Sequence, residues 1–185
     1  MKKWAKEEDE KYSLLYKNNY PIGAPMRLIK LFNIDKNKKC IDLGCGRASL
    51  SKYFSKYTGI DVSAFIVKQN QSTRTGLFLH QSLDNLYEIT EAYDVAICSD
   101  VMEHIPEDEI HNVLKSISSL NVQNYYFAIS TRKSVFLDMN GNNLHLSVLT
   151  ASEWINHLSN YFKVIEKEIK PTLLSVTCIA LPSNI

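Results

Sequence analysis

The stretch KKCIDLGCGRASLSKYF, Lys38 to Phe54, runs a short apolar segment directly into two glycines one residue apart. An apolar run bounded by turn residues reads as a buried strand. Glycines at its end let the backbone turn tightly and come close to a ligand. The stretch therefore predicts a strand, a ligand loop and a helix, in that order.

Working outward, strand-like runs recur: CIDL (40–43), YTGID (57–61), LFLH (77–80), YDVAICS (93–99), NYYFAIS (124–130), FKVIEKEI (162–169) and LLSVTCIAL (173–181). Segments with helical spacing lie between most of them. After Pro106, the residues Ile110, Val113, Leu114, Ile117 and Leu120 share one helical face. Pro106 suits the first helical position, and the acids at 107–109 suit the positive end of the helix dipole. Thr150 and Glu153 match a capping box for a second helix ending near Asn160. Two further helices are expected before the first strand, at about 4–17 and 24–32, separated by NNYPIGAP. Alternating strands and helices imply an α/β fold: a doubly wound, mostly parallel sheet covered on both faces. The last two runs, joined around Pro171, predict an antiparallel C-terminal strand pair at one edge. The expected organisation is a single domain over 1–185, with 1–36 as a helical lid or brace.

The chain has 185 residues, 45% hydrophobic and 22% charged, with a formal net charge of +1. That balance excludes a disordered chain and gives no global electrostatic signal for nucleic acid. The basic run at 35–39 reads as a solvated turn. No apolar stretch reaches the ~20 residues that span a bilayer, and no apolar signal core follows the charged start. A cytoplasmic protein is expected. Cys40, Cys45, Cys98 and Cys178 lack metal-type spacing and read as reduced thiols.

A dinucleotide fingerprint would place a third glycine where Ser49 stands, and a phosphate-gripping P-loop would need a following GKS or GKT. Neither pattern is present. The second strand ends in Asp61, whose carboxylate can accept hydrogen bonds from both ribose hydroxyls of an adenosine ligand. Taken together, CIDLGCG, TGIDVS and YDVAICSDVMEHIPEDE resemble the class I S-adenosylmethionine-dependent methyltransferases, in their order and spacing. The resemblance covers the chain from about Tyr20 to the last strand and implies a Rossmann-like methyltransferase fold with S-adenosyl-L-methionine as cofactor. It implies that Asp42 orients the amino-acid end, Gly44 and Gly46 admit the methionine and ribose, Asp61 takes the ribose hydroxyls, and Val62 lies against the adenine. Ser99 joins the set. The family commonly places an aspartate after the third strand to bond the adenine amine. Here Ser82 stands at that position with Leu83 beside it, and Asp84 is the alternative.

Methyl transfer from a sulfonium needs alignment and, for a hydroxyl nucleophile, removal of its proton. In SDVMEH, one helical turn would bring Asp100, Glu103 and His104 to one face. His104, Glu103 and His145 are the catalytic candidates, with His104 as general base. The expectation is a site without metal. The alternative set is Asp100, Glu103, His104 and His145, which resembles the arrangement in metal-assisted O-methyltransferases of ubiquinone biosynthesis and of RNA 3′ ends. The segment 130–150 is expected to line the substrate pocket through Phe136, Met139 and His145, with Arg132 and Lys133 at its start. The function expected is methyl transfer to oxygen or nitrogen of a small-molecule acceptor by a monomer or homodimer, with no nucleic acid or membrane partner. Two alternatives stand beside it: a metal-assisted O-methyltransferase of an RNA 3′ end or catechol-like ring, and a non-catalytic cofactor-binding regulatory domain.

Overall fold

The computed structural model describes residues 1–20 and 25–181. Its helices are α1 (Lys3–Lys17), α2 (Met26–Leu31), α3 (Ala64–Thr73), α4 (Ile110–Ser118) and α5 (Ala151–Ser159). Its strands are β1 (Lys39–Leu43), β2 (Lys56–Asp61), β3 (Leu77–His80), β4 (Tyr93–Ser99), β5 (Val122–Ser130), β6 (Phe162–Lys170) and β7 (Leu173–Ala180). All seven expected strands form. The expected start of the second helix, Ala24, lies outside the described residues.

The strands make one sheet in the order β3-β2-β1-β4-β5-β7-β6. The first five are parallel, and β7 runs antiparallel between β5 and the edge strand β6. Both faces of the central strands are buried, and the alternation along β1 and β4 shows how. Ile41, Leu43, Ala96 and Cys98 pack into one apolar cluster with Phe127, Trp154 and Phe162. Cys40, Val95 and Ile97 pack into a second cluster with Leu28, Leu50 and Phe54. Side chains at successive strand positions point to opposite faces, so a continuous apolar strand feeds two cores. The chain leaves β1 toward β2 and β3 on one side and returns to β4 on the other. The ends of β1 and β4 therefore flank the crevice where such sheets take ligands.

The helices follow their sequence signals with two corrections. In α4, Ile110, Val113, Leu114 and Ile117 are all buried. In α5 the capping box forms: Glu153 N–H donates to Thr150 Oγ1 at 3.3 Å, and Thr150 N–H to the Glu153 carboxylate at 2.8 Å. The helix expected after the glycine loop is instead a four-residue 3-10 turn, Ser49–Lys52. Ala48 enters it with φ of 50°, outside helical space, and only Tyr53, Phe54 and Ser55 separate it from β2. Pro106 likewise does not start α4. It lies extended, with ψ of 140°, before a 3-10 turn at Glu107–Glu109 that leads into the helix.

α1 is tied beside α3 by side chains that meet the start of that helix. Asp9 Oδ1 accepts from Ala64 N–H at 2.8 Å, Asp9 Oδ2 lies 3.2 Å from His80 Nε2, and Ser13 Oγ lies 2.9 Å from Ser63 Oγ. Because Trp154 is fully buried between α5 and the sheet, Trp154→Ala is expected to cost about 3–5 kcal/mol. Urea denaturation measures that loss, and a cost below about 1 kcal/mol would contradict the packing described.

Candidate functional site

The β1 exit is wrapped around the end of β2. Gly44 N–H and Cys45 N–H both donate to the Ile60 carbonyl at 2.8 Å. One residue on, Gly46 N–H donates to Asp61 Oδ2 at 2.8 Å, while Ser63 N–H donates to Asp61 Oδ1 at 2.8 Å. Gly44 and Gly46 have φ of 75° and 50°, the left-handed region that glycine enters freely. What lies beside them differs from expectation. A Cβ on Gly44 would come within 2.4 Å of Val101 Cγ2, and one on Gly46 within 2.9 Å of the Tyr16 hydroxyl. Gly44 is thus required by its backbone and by the turn after β4. Cys45 is buried in this loop, its Sγ 3.8 Å from the Gly46 carbonyl oxygen. Burial, reinforced by the charges of Asp61 and Asp42, pushes its thiol well above the usual range.

A cavity of about 300 Å³ opens over these strand ends, lined in part by Asp42, Gly44, Gly46, Asp61, Val62 and Ser82. Leu83 and Ser99 also face it. All the residues expected to hold the cofactor are therefore brought together. Asp42 and Asp61 are both buried. Burial raises Asp42 to about 7, even though the Tyr57 hydroxyl donates to its Oδ2 at 2.5 Å. Burial likewise raises Asp61 to about 6 against the two backbone N–H donors. Two carboxylates taken out of water in this way favour a ligand that brings hydrogen-bond donors or positive charge.

Glu103, His104 and His145 each direct a ligand atom to within 4.8 Å of the others; His104 and His145 line the cavity, as Asp100 does, and the buried Glu103 does not. Asp100 is not among the three. The expected helical turn is a 3-10 turn over Met102–His104, and Asp100 leaves β4 with φ of 56°. That backbone turns Glu103 inward. It is fully buried, and Oε1 accepts from Ser130 N–H at the end of β5 at 3.0 Å. Its Oε2 has no hydrogen-bond partner among the described residues. Burial, then the charge of Asp100, pushes Glu103 up to about 8. His104 Nδ1 lies 2.8 Å from the Leu144 carbonyl oxygen and 2.6 Å from the Tyr12 hydroxyl. His145 Nδ1 lies 2.6 Å from the Arg132 carbonyl oxygen. A carbonyl only accepts, so this assigns a proton to each Nδ1. Burial drives His104 down to about 3, which keeps the ring neutral and makes it a weak base.

The third wall is α1, and the sequence reading gave it no individual residues. Trp4, Glu8, Tyr12 and Tyr16 recur every four positions and all face the cavity, followed by Tyr20. Four-residue spacing stacks side chains on one helical face, and that was the signal in the sequence. Trp4 Nε1 and Glu8 Oε2 are buried without partners among the described residues. Lys11 reaches the other Glu8 oxygen at 2.6 Å. Tyr20 packs edge-on against Phe136, with ring centres 5.7 Å apart. Arg132 and Phe136 line the cavity as expected. Met139 is 68% exposed and lies outside it, as does Lys133.

Comparison with known proteins points the same way. The family described as methyltransferase domain matches residues 18–164. The ubiquinone biosynthesis O-methyltransferase of Hydrogenovibrio crunogenus is 26% identical, the match covering 80% of this chain and 69% of that one. Its counterpart from Glaesserella parasuis is 25% identical, with 76% and 63% covered, so the chain spans about two thirds of these relatives. Among solved structures, magnesium protoporphyrin IX methyltransferase from Synechocystis superposes with a TM-score of 0.70 at 15% identity, covering 95% of this chain and 98% of that one. The 1,6-didemethyltoxoflavin-N1-methyltransferase of Burkholderia thailandensis gives 0.68 at 16% identity, covering 95% and 88%. At such identities the likeness to the structures is one of fold. No helix among the described residues is long and apolar enough to cross a membrane.

The buried acids make stability depend on pH. Asp42, Asp61 and Glu103 hold protons more tightly when folded, at about 7, 6 and 8 against unfolded values of 3.8, 3.8 and 4.5. The native state therefore binds more protons than the unfolded state between those limits, and stability falls as pH rises through them. The urea midpoint of the ligand-free protein is expected to drop from about pH 5 to about pH 8, less steeply in Asp42→Asn. A midpoint that climbs across this window would refute the assignment.

Proposed function

The chain belongs to the family of methyltransferase domains, and from that membership we infer that it transfers the methyl group of S-adenosylmethionine to oxygen or nitrogen of a small-molecule acceptor held in this cavity. The observation that carries the inference is a single cavity lined both by the buried carboxylates at the ends of β1 and β2 and by His104 and His145, with the buried Glu103 beside the two imidazoles. The residues present fit the cofactor. Asp42 and Asp61 are acids that burial disfavours as charges, and an ammonium with two ribose hydroxyls supplies the donors they lack. When bound, the cofactor supplies an electrophilic methyl on a sulfonium. Asp42 holds its amino group, with Tyr57 fixing the carboxylate from behind. Asp61 takes the ribose hydroxyls on the lone pairs left by Gly46 and Ser63, and Ser82 and Leu83 meet the base. The stripe of α1, with Phe136, covers the acceptor side and excludes water, which serves a displacement that depends on alignment. In this reading residues 1–36 act as the lid of one methyltransferase domain.

A second reading concerns the cluster itself and is favoured by its donor set. Two imidazoles have their Nδ1 atoms engaged by backbone carbonyls, and a buried carboxylate oxygen has no hydrogen-bond partner among the described residues. That is the arrangement in which protein ligands are held for a divalent ion. Glu103, His104 and His145 would hold the ion, which would polarise an accepting hydroxyl. The low basicity of His104 supports a ligand role over that of general base.

Two measurements test these readings. S-adenosylhomocysteine is expected to bind and raise the melting temperature. Asp61→Asn, which removes the charge and sets its NH2 against one of the two backbone donors, is expected to lose about 1.5–3 kcal/mol or more of that affinity by calorimetry. Undiminished affinity would refute the ribose assignment. For the cluster, elemental analysis of protein purified without chelator is expected to find near-equimolar divalent metal, and His145→Ala to lose it while still binding S-adenosylhomocysteine. Metal-free protein whose transfer to a phenol or amine panel ignores chelator would return the site to the metal-free reading.

A further inference from the structure

The adenine end of the cavity holds a serine where an acid is expected, and an acid close by that does not face the cavity. Ser82 is 3% exposed and lines the cavity just beyond β3, whereas Asp84 does not line it. The Ser82 hydroxyl donates to Asp84 Oδ1. Asp84 Oδ2 lies 3.7 Å from Lys2 Nζ, and Lys2 in turn bonds Glu109 at 2.6 Å. A carboxylate cannot donate, so the one proton of Ser82 is committed to Asp84. The oxygen then offers lone pairs alone, and no donor among the described residues uses them.

The strand ends say what those lone pairs meet. β1, β2 and β3 are adjacent and in register, with Asp42 opposite Gly59 and Asp61 opposite His80. Strands stand about 4.8 Å apart, so a ligand whose amino end is at Asp42 and whose ribose is at Asp61 carries its base to the exit of β3. We propose that Asp84 fixes the hydrogen-bonding sense of Ser82, so that Ser82 Oγ accepts from the exocyclic amine of the adenine and opposes the lone pairs of a 6-oxo base. The proposal rests on the cofactor reading above and makes Asp84 a positioning residue acting through Ser82. A site built to bond an amino group rejects the analogue that lacks it, because a buried polar atom is then left unpaired.

The test is calorimetric titration of the full chain with S-adenosylhomocysteine and with its deaminated counterpart, S-inosylhomocysteine. The parent is expected to prefer the amine by about tenfold or more. Ser82→Ala and Asp84→Ala are each expected to remove most of that preference, the double variant no more than either single one, and Ser82→Thr to restore it. A merely structural role for Asp84 would weaken both ligands equally and leave the ratio unchanged, and that result overturns the proposal. So does a double variant in which the two losses add. Asp84→Gly serves the same comparison if the alanine variant does not fold. Failure of the parent to bind either ligand would sink the cofactor reading with it, whereas tight binding with an unaltered ratio in Asp84→Ala would sink the relay alone.

Discussion

The carboxylate of Asp61 joins the loop after β1 to the turn that leads from β2 into α3. It ends β2, accepts the N–H of Gly46 from the loop after β1, and accepts the N–H of Ser63 at the start of α3. The Ile60 carbonyl beside it takes two more N–H groups from the same loop. Once these bonds form, the glycine loop has little freedom left, and the ends of β1 and β2 present their acids to one space. Burying the acid costs free energy that two backbone donors offset only in part. A ligand with donors of its own completes the offset, so the bond that shapes the loop also prepares it for binding.

The remaining walls come from other segments, and α1 is tied to that loop through Arg47, whose guanidinium donates to the Tyr16 carbonyl at 3.1 Å. Leu144 and Ser147 are buried against the turn after β4, with Ser147 N–H donating to the Glu103 carbonyl at 3.0 Å and its hydroxyl to the Ile105 carbonyl at 2.6 Å. This seats His145 next to His104, with ring centres 4.8 Å apart. α1 closes the space from outside, held by Asp9 and Ser13 at the start of α3. Lys2 reaches across to Asp84 and Glu109, so the first residues of the chain meet the loop after β3. Strand ends form one part of the cavity wall, and peripheral segments form the rest. A cavity divided in this way can vary in its peripheral part while the strand ends stay fixed.

The sheet was legible because each strand is a short apolar run punctuated by turn residues, and α4 and α5 because their spacing and capping box are local signals. That Asp42, Asp61 and Ser82 line one cavity was legible for a related reason: each sits at or just beyond the end of a strand, where position along the chain nearly determines position in space. What was not legible depended on backbone geometry or on distant partners. The 3-10 turn at 49–52 arises from the positive φ of Ala48 and a short path to β2. Glu103 turns inward, away from Asp100, because the end of β5 offers it an N–H. The cavity stripe of α1 was visible as Trp4, Glu8, Tyr12 and Tyr16 at four-residue steps. The surrounding lysines and glutamates left the helix read only as a lid or brace, without individual cavity residues.

Cys45 shows a further consequence of the same burial. Its thiol lies in the loop that meets the cofactor, beside two acids that discourage ionisation. S-adenosylmethionine is an alkylating agent, and a thiolate is among the better nucleophiles a protein can offer. A cysteine at this position in an electropositive loop would be a self-methylation hazard. Here the charges that welcome a cationic ligand also hold the sulfur in its protonated, unreactive form, so the electrophile is kept for the acceptor.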